Sequence, residues 1–141
     1  MTTRFHHAAA VAADAGGRSP GRFCRTGPAW VAQACQYGRV TRVLAVANQK
    51  GGVAKTTTVA SVGAAMAEKG RRVLLVDLDP QGCLTFSLGQ DPDKLTVSVH
   101  EVLLGEVEPG AALIPTVEGM TLLPANIDLA GAEAMLLMRA G

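Results

Sequence analysis

The chain has 141 residues, which the usual size of a domain, about 100 to 200 residues, limits to one domain and a tail. Thirteen Lys and Arg against twelve Asp and Glu leave a net charge of +1, so no global field marks the chain as a polyanion binder. Apolar residues at 48% are enough for a packed core, charged residues at 18% are too few and too balanced for a disordered chain, and no apolar run is long enough to span a membrane.

The totals hide a break near residue 39. Before it, Arg4, Arg18, Arg22, Arg25 and Arg39 face the single acid Asp14, and four aromatics (Phe5, Phe23, Trp30, Tyr37) gather there. Beyond it, acids outnumber bases. Ala8 to Ala15 offers a turn or two of helix, but Gly16, Gly17, Pro20, Gly21, Gly27 and Pro28 break every apolar period before a face is buried. Residues 1–39 therefore read as a disordered leader. The Arg-rich, acid-poor start has some transit-peptide character, and an over-extended start before Val40 explains it as well. Cys24 and Cys35 with His6 and His7 fit no zinc-ligand spacing, and three cysteines in all are compatible with a reducing compartment.

Val43-Leu44-Ala45-Val46-Ala47 is a short apolar run of the kind expected of a parallel strand covered on both faces. It runs into Asn48-Gln49-Lys50-Gly51-Gly52-Val53-Ala54-Lys55-Thr56-Thr57-Thr58. Then Val59, Val62 and Met66 recur at helical spacing, and Gly70 stands where a helix C-cap belongs. Strand, glycine turn and helix make a phosphate loop. Gly51 and Gly52 let backbone N–H groups approach an anion, Lys55 reaches β- and γ-phosphate oxygens, and the Thr56 hydroxyl suits Mg²⁺. Thr57 is assigned to the α-phosphate and Thr58 to the helix. Ala54 is harmless if its φ is helical, but costs about 1 kcal/mol if φ must be positive; little effect is expected.

GxxxxGK[ST] fails at Gln49 and Ala54, whereas KGGxxK[TS] fits. In this the sequence resembles the ParA/MinD group of P-loop ATPases, with the deviant Walker A lysine at Lys50. The resemblance implies ATP and Mg²⁺ at Gly51, Gly52, Val53, Ala54, Lys55, Thr56 and Thr57. It also implies an ATP-dependent homodimer in which Lys50 contacts the partner's nucleotide.

Arg71-Arg72 precede a second buried-strand run, Val73 to Val76, and then Asp77-Leu78-Asp79-Pro80-Gln81-Gly82. Carboxylates at the C-terminal end of a parallel strand face the crevice where ligands bind in α/β sheets. The alternative for each is a helix-capping or turn aspartate before Pro80. LLVDLDPQG resembles the second motif of ParA proteins, which implies that Asp79 helps position the attacking water and that Asp77 lies near Mg²⁺. Cys83 lacks the companions a cluster needs and is expected to be a small packed residue.

Further on, Val97 to Leu104 reads as a short helix closed by Gly105. Ala111 to Ile114 and Met120 to Leu123 read as strands. A last helix follows Asp128 to about Arg139, with Leu129, Ala132 and Leu136 on one face and Met135 and Met138 as core or interface filler.

The expected fold is α/β, a partial P-loop NTPase of the SIMIBI type: a parallel sheet with flanking helices over residues 40–141, truncated before the Walker B strand. In the resembled family that strand lies between the P-loop strand and the 73–77 strand, so these two are expected not to be neighbours. By resemblance the function is the ATP-binding part of a cytoplasmic partitioning ATPase in chromosome or plasmid segregation. Its partners are a ParB-type protein and, in full-length relatives, nonspecific DNA; hydrolysis by this chain is expected to be weak or absent. The competing reading is a non-catalytic truncated fragment that interferes with a full-length relative. A membrane-cycling MinD role ranks third, for want of an amphipathic anchor helix.

Overall fold

The computed structural model describes residues 8–14, 41–48, 52 and 54–139. Two strands come first, β1 at Ala8–Asp14 and β2 at Thr41–Ala47. Helix α1 spans Lys55–Glu68 and leads to strand β3 at Val73–Leu78. Helix α2 is the single turn Cys83–Ser87, and α3 spans Val99–Leu103. The short strands β4, Ile114–Pro115, and β5, Thr121–Leu123, precede the last helix, α4, at Leu129–Arg139. Turns of 3₁₀ helix at Pro92–Lys94 and Pro109–Ala112 complete the connections.

The strands form one sheet in the order β2-β1-β3-β5-β4. β3 and β5 are parallel, while β1 runs antiparallel to both of its neighbours and β4 antiparallel to β5. The sheet is therefore mixed rather than parallel throughout. β2 and β3 run in the same direction and are not neighbours, as expected, but the position between them is filled by β1. Ala8–Asp14, expected to be part of a disordered leader with a helical tendency, is an interior strand. Local propensity loses here to pairing, because a strand in that position satisfies backbone groups on both sides at once.

β2 is correspondingly an edge strand. Val43 is 68% exposed and Leu44 45% exposed, so the expectation of a strand covered on both faces does not hold. β3 is the strand that meets it: Val73, Leu75 and Asp77 are buried on one face, and Leu74, Val76 and Leu78 are half-buried on the other.

On the first face α1 lies across the sheet, with Val59 packed among Ala9, Leu75, Leu84, Met120 and Leu122. Gly63 sets the distance. A Cβ there would come within 2.8 Å of Leu75 Cδ2 and 3.0 Å of Met120 Sδ, so an alanine would have to displace these two side chains. α1 ends as its sequence predicts: Gly70, at φ +71, donates to the Ala67 carbonyl and Arg71 to that of Met66. On the second face Val99, Ala112, Leu123 and Ala125 form a smaller cluster, flanked by Leu74, Val76 and Leu129. Ala111 belongs to the 3₁₀ turn that begins at Pro109, not to a strand. Met135 and Met138 of α4 are 41% and 81% exposed, so neither is core filler within this chain.

α3 is fixed by a capping box. The Ser98 backbone N–H donates to Glu101 Oε2 at 2.7 Å, and the buried Ser98 hydroxyl accepts from His100 N–H. Val99 N–H donates to the Pro124 carbonyl, which docks the helix start onto the end of β5. Burial alone raises the Glu101 carboxyl. The hydrogen bonds from Ser98 and His100 outweigh it and hold the group down at about 2, against an ordinary value of 4.5. A depressed carboxyl contributes stability that is complete above its unfolded-state value and lost as pH falls towards the folded one. Glu101→Gln is thus expected to lower Tm at neutral pH, with the deficit closing as pH falls from about 4.5 to about 2; thermal melts across that window check this.

Candidate functional site

The C-terminal ends of β2 and β3 lie level with each other. Ala8 pairs with Ala47 on one side and Leu78 on the other, so these two ends stand one intervening strand apart, about 9.6 Å. The loop entering α1 and the loop containing Asp79 both start from this end of the sheet. Sequence reasoning placed these loops at strand ends; their spacing depends on β1, which it did not foresee.

Within the loop after β2, Gly52 has φ +69 and Ala54 has φ 57, the latter the one non-glycine residue in the left-handed region among those described. Ala54 is the N-cap of α1, offers no side-chain cap, and accepts from Thr58 N–H through its carbonyl at 2.9 Å. The first-turn N–H groups are therefore turned to the loop side without a side-chain oxygen from the cap, the arrangement that favours an anion. Lys55 and Thr56 are half-buried at the start of α1, and Thr57 is exposed. Thr56 and Thr57, with Ser61, Ser87 and Glu118, line a groove of about 370 Å³ beside α1. Lys50, Gly51 and Val53 lie outside the described residues, as do Cys24, Cys35, His6 and His7.

The second loop is organised by Asp77. Its carboxylate is buried and accepts three hydrogen bonds: Asp79 N–H at 3.1 Å on Oδ1, and Thr85 N–H at 2.9 Å and the Thr85 hydroxyl at 2.8 Å on Oδ2. Thr85 Oγ1 in turn accepts from Ala125 N–H at 3.0 Å. Asp77 is thus the cap of α2 from outside that helix, the alternative weighed for it on sequence. Burial pushes its carboxyl above the ordinary carboxylate range despite the bonds from Thr85 and Asp79. Asp79 accepts from Gln81 N–H at 3.0 Å and closes a turn in which Gly82 N–H donates to the Asp79 carbonyl. Gly82, at φ +60, is confined by Pro92 Cγ at 2.8 Å and the Ala125 carbonyl at 3.0 Å from where a Cβ would stand. The sequence showed a glycine after Pro80-Gln81 but gave no sign of this close approach.

Cys83 records how the two loops meet. Its thiol is pushed up first by partial desolvation and then by Asp79 and Asp77, and pulled down by Lys55. Charges from both loops act at this one exposed side chain, which is not the packed residue expected. Among the described residues no group of three or more His, Cys, Asp and Glu converges as a metal cage. A divalent ion here would need oxygens from Thr56, from water and from a ligand's own phosphates.

Two outcomes follow from this geometry. Thr85→Val leaves Ala125 N–H without its acceptor and removes a hydroxyl from Asp77, at a cost of ~2 kcal/mol and a fall in Tm of roughly 10 °C. The Thr85 donors favour ionised Asp77 against the burial that raises its carboxyl, so the deficit of the variant is largest where Asp77 is ionised and narrows as falling pH protonates it. Ala54→Gly relieves a left-handed alanine and is expected to stabilise the chain by about 1 kcal/mol in a thermal melt.

Residues 41–141 match an AAA domain family. The chromosome-partitioning ATPase Soj of Thermus thermophilus is 50% identical over 95 residues, covering 67% of this chain and 36% of its own length. The chromosome partitioning protein ParA of Caulobacter vibrioides is 46% identical over 96 residues, again covering 67% of this chain and 36% of its own length. A crystal structure of cobyrinic acid a,c-diamide synthase from Mycobacterium smegmatis, with bound ATP analog and magnesium, is 88% identical at a TM-score of 0.65, covering 67% of this chain and 38% of that one. The chain spans somewhat over a third of the length of these relatives. No described helix is long and apolar enough to cross a membrane. A glycine turn between strand and helix, an aspartate-bearing loop one strand away and these matches agree, and the chain belongs to the family of ParA-type P-loop ATPases.

Proposed function

We propose that residues 41–141 supply the phosphate-binding part of an ATP and Mg²⁺ site in a ParA-type partitioning ATPase. The observation that carries this reading is the paired left-handed backbone at Gly52 and Ala54, set at the N-terminus of α1 directly before Lys55, Thr56 and Thr57. Amide dipoles and the Lys55 ammonium bind the β- and γ-phosphates there, and the Thr56 hydroxyl contributes to Mg²⁺. Mg²⁺ supplies charge neutralisation between the phosphates when bound. Gly51, Val53 and Lys50 complete the loop, with Lys50 reaching the nucleotide of a second copy in an ATP-dependent homodimer.

Asp79 orients the attacking water in this reading, and Asp77 acts through it: the bond from Asp79 N–H to Asp77 Oδ1 sets where the Asp79 carboxylate begins. A metal role for Asp77 is then indirect, because both of its oxygens already accept from the protein. Support also comes from the bound ATP analog and magnesium of the Mycobacterium smegmatis structure. In the whole protein the cycle serves chromosome or plasmid segregation in the cytoplasm, with a ParB-type protein and nonspecific DNA as partners.

A second reading has its own observation. The structure with 88% identity is of cobyrinic acid a,c-diamide synthase, so ATP-dependent amidation of cobyrinic acid is the competing activity. Calorimetry with Mg·ATP tests the shared part: the chain is expected to bind, and Lys55→Ala to weaken binding by a factor of about ten or more, the loss of a charge-assisted contact. No heat at millimolar nucleotide overturns both readings. With the whole protein, ATP turnover stimulated by DNA and a ParB-type partner supports partitioning, and glutamine- or ammonia-dependent consumption of cobyrinic acid supports amidation.

A further inference from the structure

Asp77 has one carboxylate and two tasks: it caps α2, and it holds the backbone of Asp79. The torsion that turns a carboxylate about its own axis is broad, so burial alone does not settle which oxygen meets which donor. Thr85 settles it. Its backbone N–H, at 2.9 Å, and its hydroxyl, at 2.8 Å, both donate to Oδ2, which leaves Oδ1 to the Asp79 N–H at 3.1 Å. Two short bonds pin the first oxygen, and the longer one to Asp79 follows from them.

The direction of the Thr85 hydroxyl is fixed in turn. Ala125 N–H donates to Oγ1 at 3.0 Å, and a hydroxyl carries a single proton, so that proton is left to point at Asp77. Thr85 and Asp77 are both buried to within about a hundredth of their surface, so bulk water does not take the place of a missing partner. The anchor at Ala125 lies forty residues on, in the segment that leaves β5. The turn bonds of Asp79, from Gln81 N–H to its carboxylate and from Gly82 N–H to its carbonyl, move with the loop and do not tie it to the sheet.

We propose that Thr85 is a positioning residue for ATP hydrolysis: by locking the Asp77 carboxylate it sets the Asp79 backbone, and with it the place of the Asp79 carboxylate in the site. This rests on the reading of Asp79 as the group that orients the attacking water. Thr85 acts through two residues and is too deeply buried to meet a nucleotide. Its removal therefore slows turnover and leaves the grip on Mg·ATP, which comes from the loop before α1, as it was.

ATP turnover and Mg·ATP affinity of the whole protein, measured well below Tm, test this. Thr85→Val is expected to lower kcat by a factor of about ten or more while Kd stays within about twofold, and Thr85→Ser, which keeps the hydroxyl, to hold kcat near that of the parent. Leu104→Ala removes a buried side chain at the far end of α3, lowers Tm without touching the relay, and is expected to leave kcat unchanged. If Thr85→Val does not fold, Thr85→Cys takes its place: a thiol accepts and donates weakly, and kcat is then expected to fall by a factor of about three or more.

An unchanged kcat in the valine or cysteine variant overturns the proposal, as does a loss in Thr85→Ser as large as in the variant without the hydroxyl. An equal fall in kcat from Leu104→Ala also overturns it, because lost stability alone then accounts for the effect. Asp79→Ala separates this proposal from the reading beneath it. Turnover abolished by Asp79→Ala but untouched by Thr85→Val sinks the role of Thr85 alone; full turnover in Asp79→Ala sinks the reading of Asp79, and the role of Thr85 with it.

Discussion

The site depends on two parallel strands being held one strand apart with their C-terminal ends level. β2 delivers the loop that opens α1 and β3 delivers Asp77 and Asp79, and the two strands are not paired with each other. Backbone hydrogen bonding through β1 sets their separation, because the spacing of a sheet is nearly invariant whatever side chains it carries. α1 adds a second constraint from above: Gly63 lets it sit low on Leu75 and Met120, which fixes the height of its N-terminus over the sheet. Loop conformation then needs only local devices. Left-handed backbone at Gly52, Ala54 and Gly82 turns each loop where a strand ends and a helix begins.

Much of this was legible in the residues. The change from an apolar run to glycines and then to a 3.6-residue period located β2, the phosphate loop and α1, and Gly70 marked the helix end within a residue. Val73 to Val76 was readable as a buried strand because β3 has apolar neighbours on both faces. The pattern failed for β2 on exposure, since an apolar run of that length is equally consistent with an edge strand whose outer side chains face water.

Other features left no local mark. The alanines of β1 favour a helix by propensity, and what makes them a strand is a pair of backbone edges far away in sequence. Both backbones were open to Ala54 on sequence and little effect was expected; its φ of 57 is the strained alternative, which the residue type disfavours and the loop imposes. Cys83 was expected to pack and is exposed, since α2 is a single turn that buries Leu84 and Thr85 instead. Asp77 shows the reverse case. Two roles were open to it on sequence, and the position of Thr85, eight residues on, shows that helix capping is one it performs.

The relay from Asp77 through Thr85 to Ala125 fastens three stretches of chain at one point: the end of β3, the start of α2 and the segment after β5. Each stretch would lose a buried partner if another moved away. The loop bearing Asp79 therefore belongs to a cooperative opening unit with elements some forty residues downstream, and its amides and that of Ala125 should share one protection free energy instead of fraying separately. An aspartate loop of this kind is rigid by linkage to the fold, not by its own sequence.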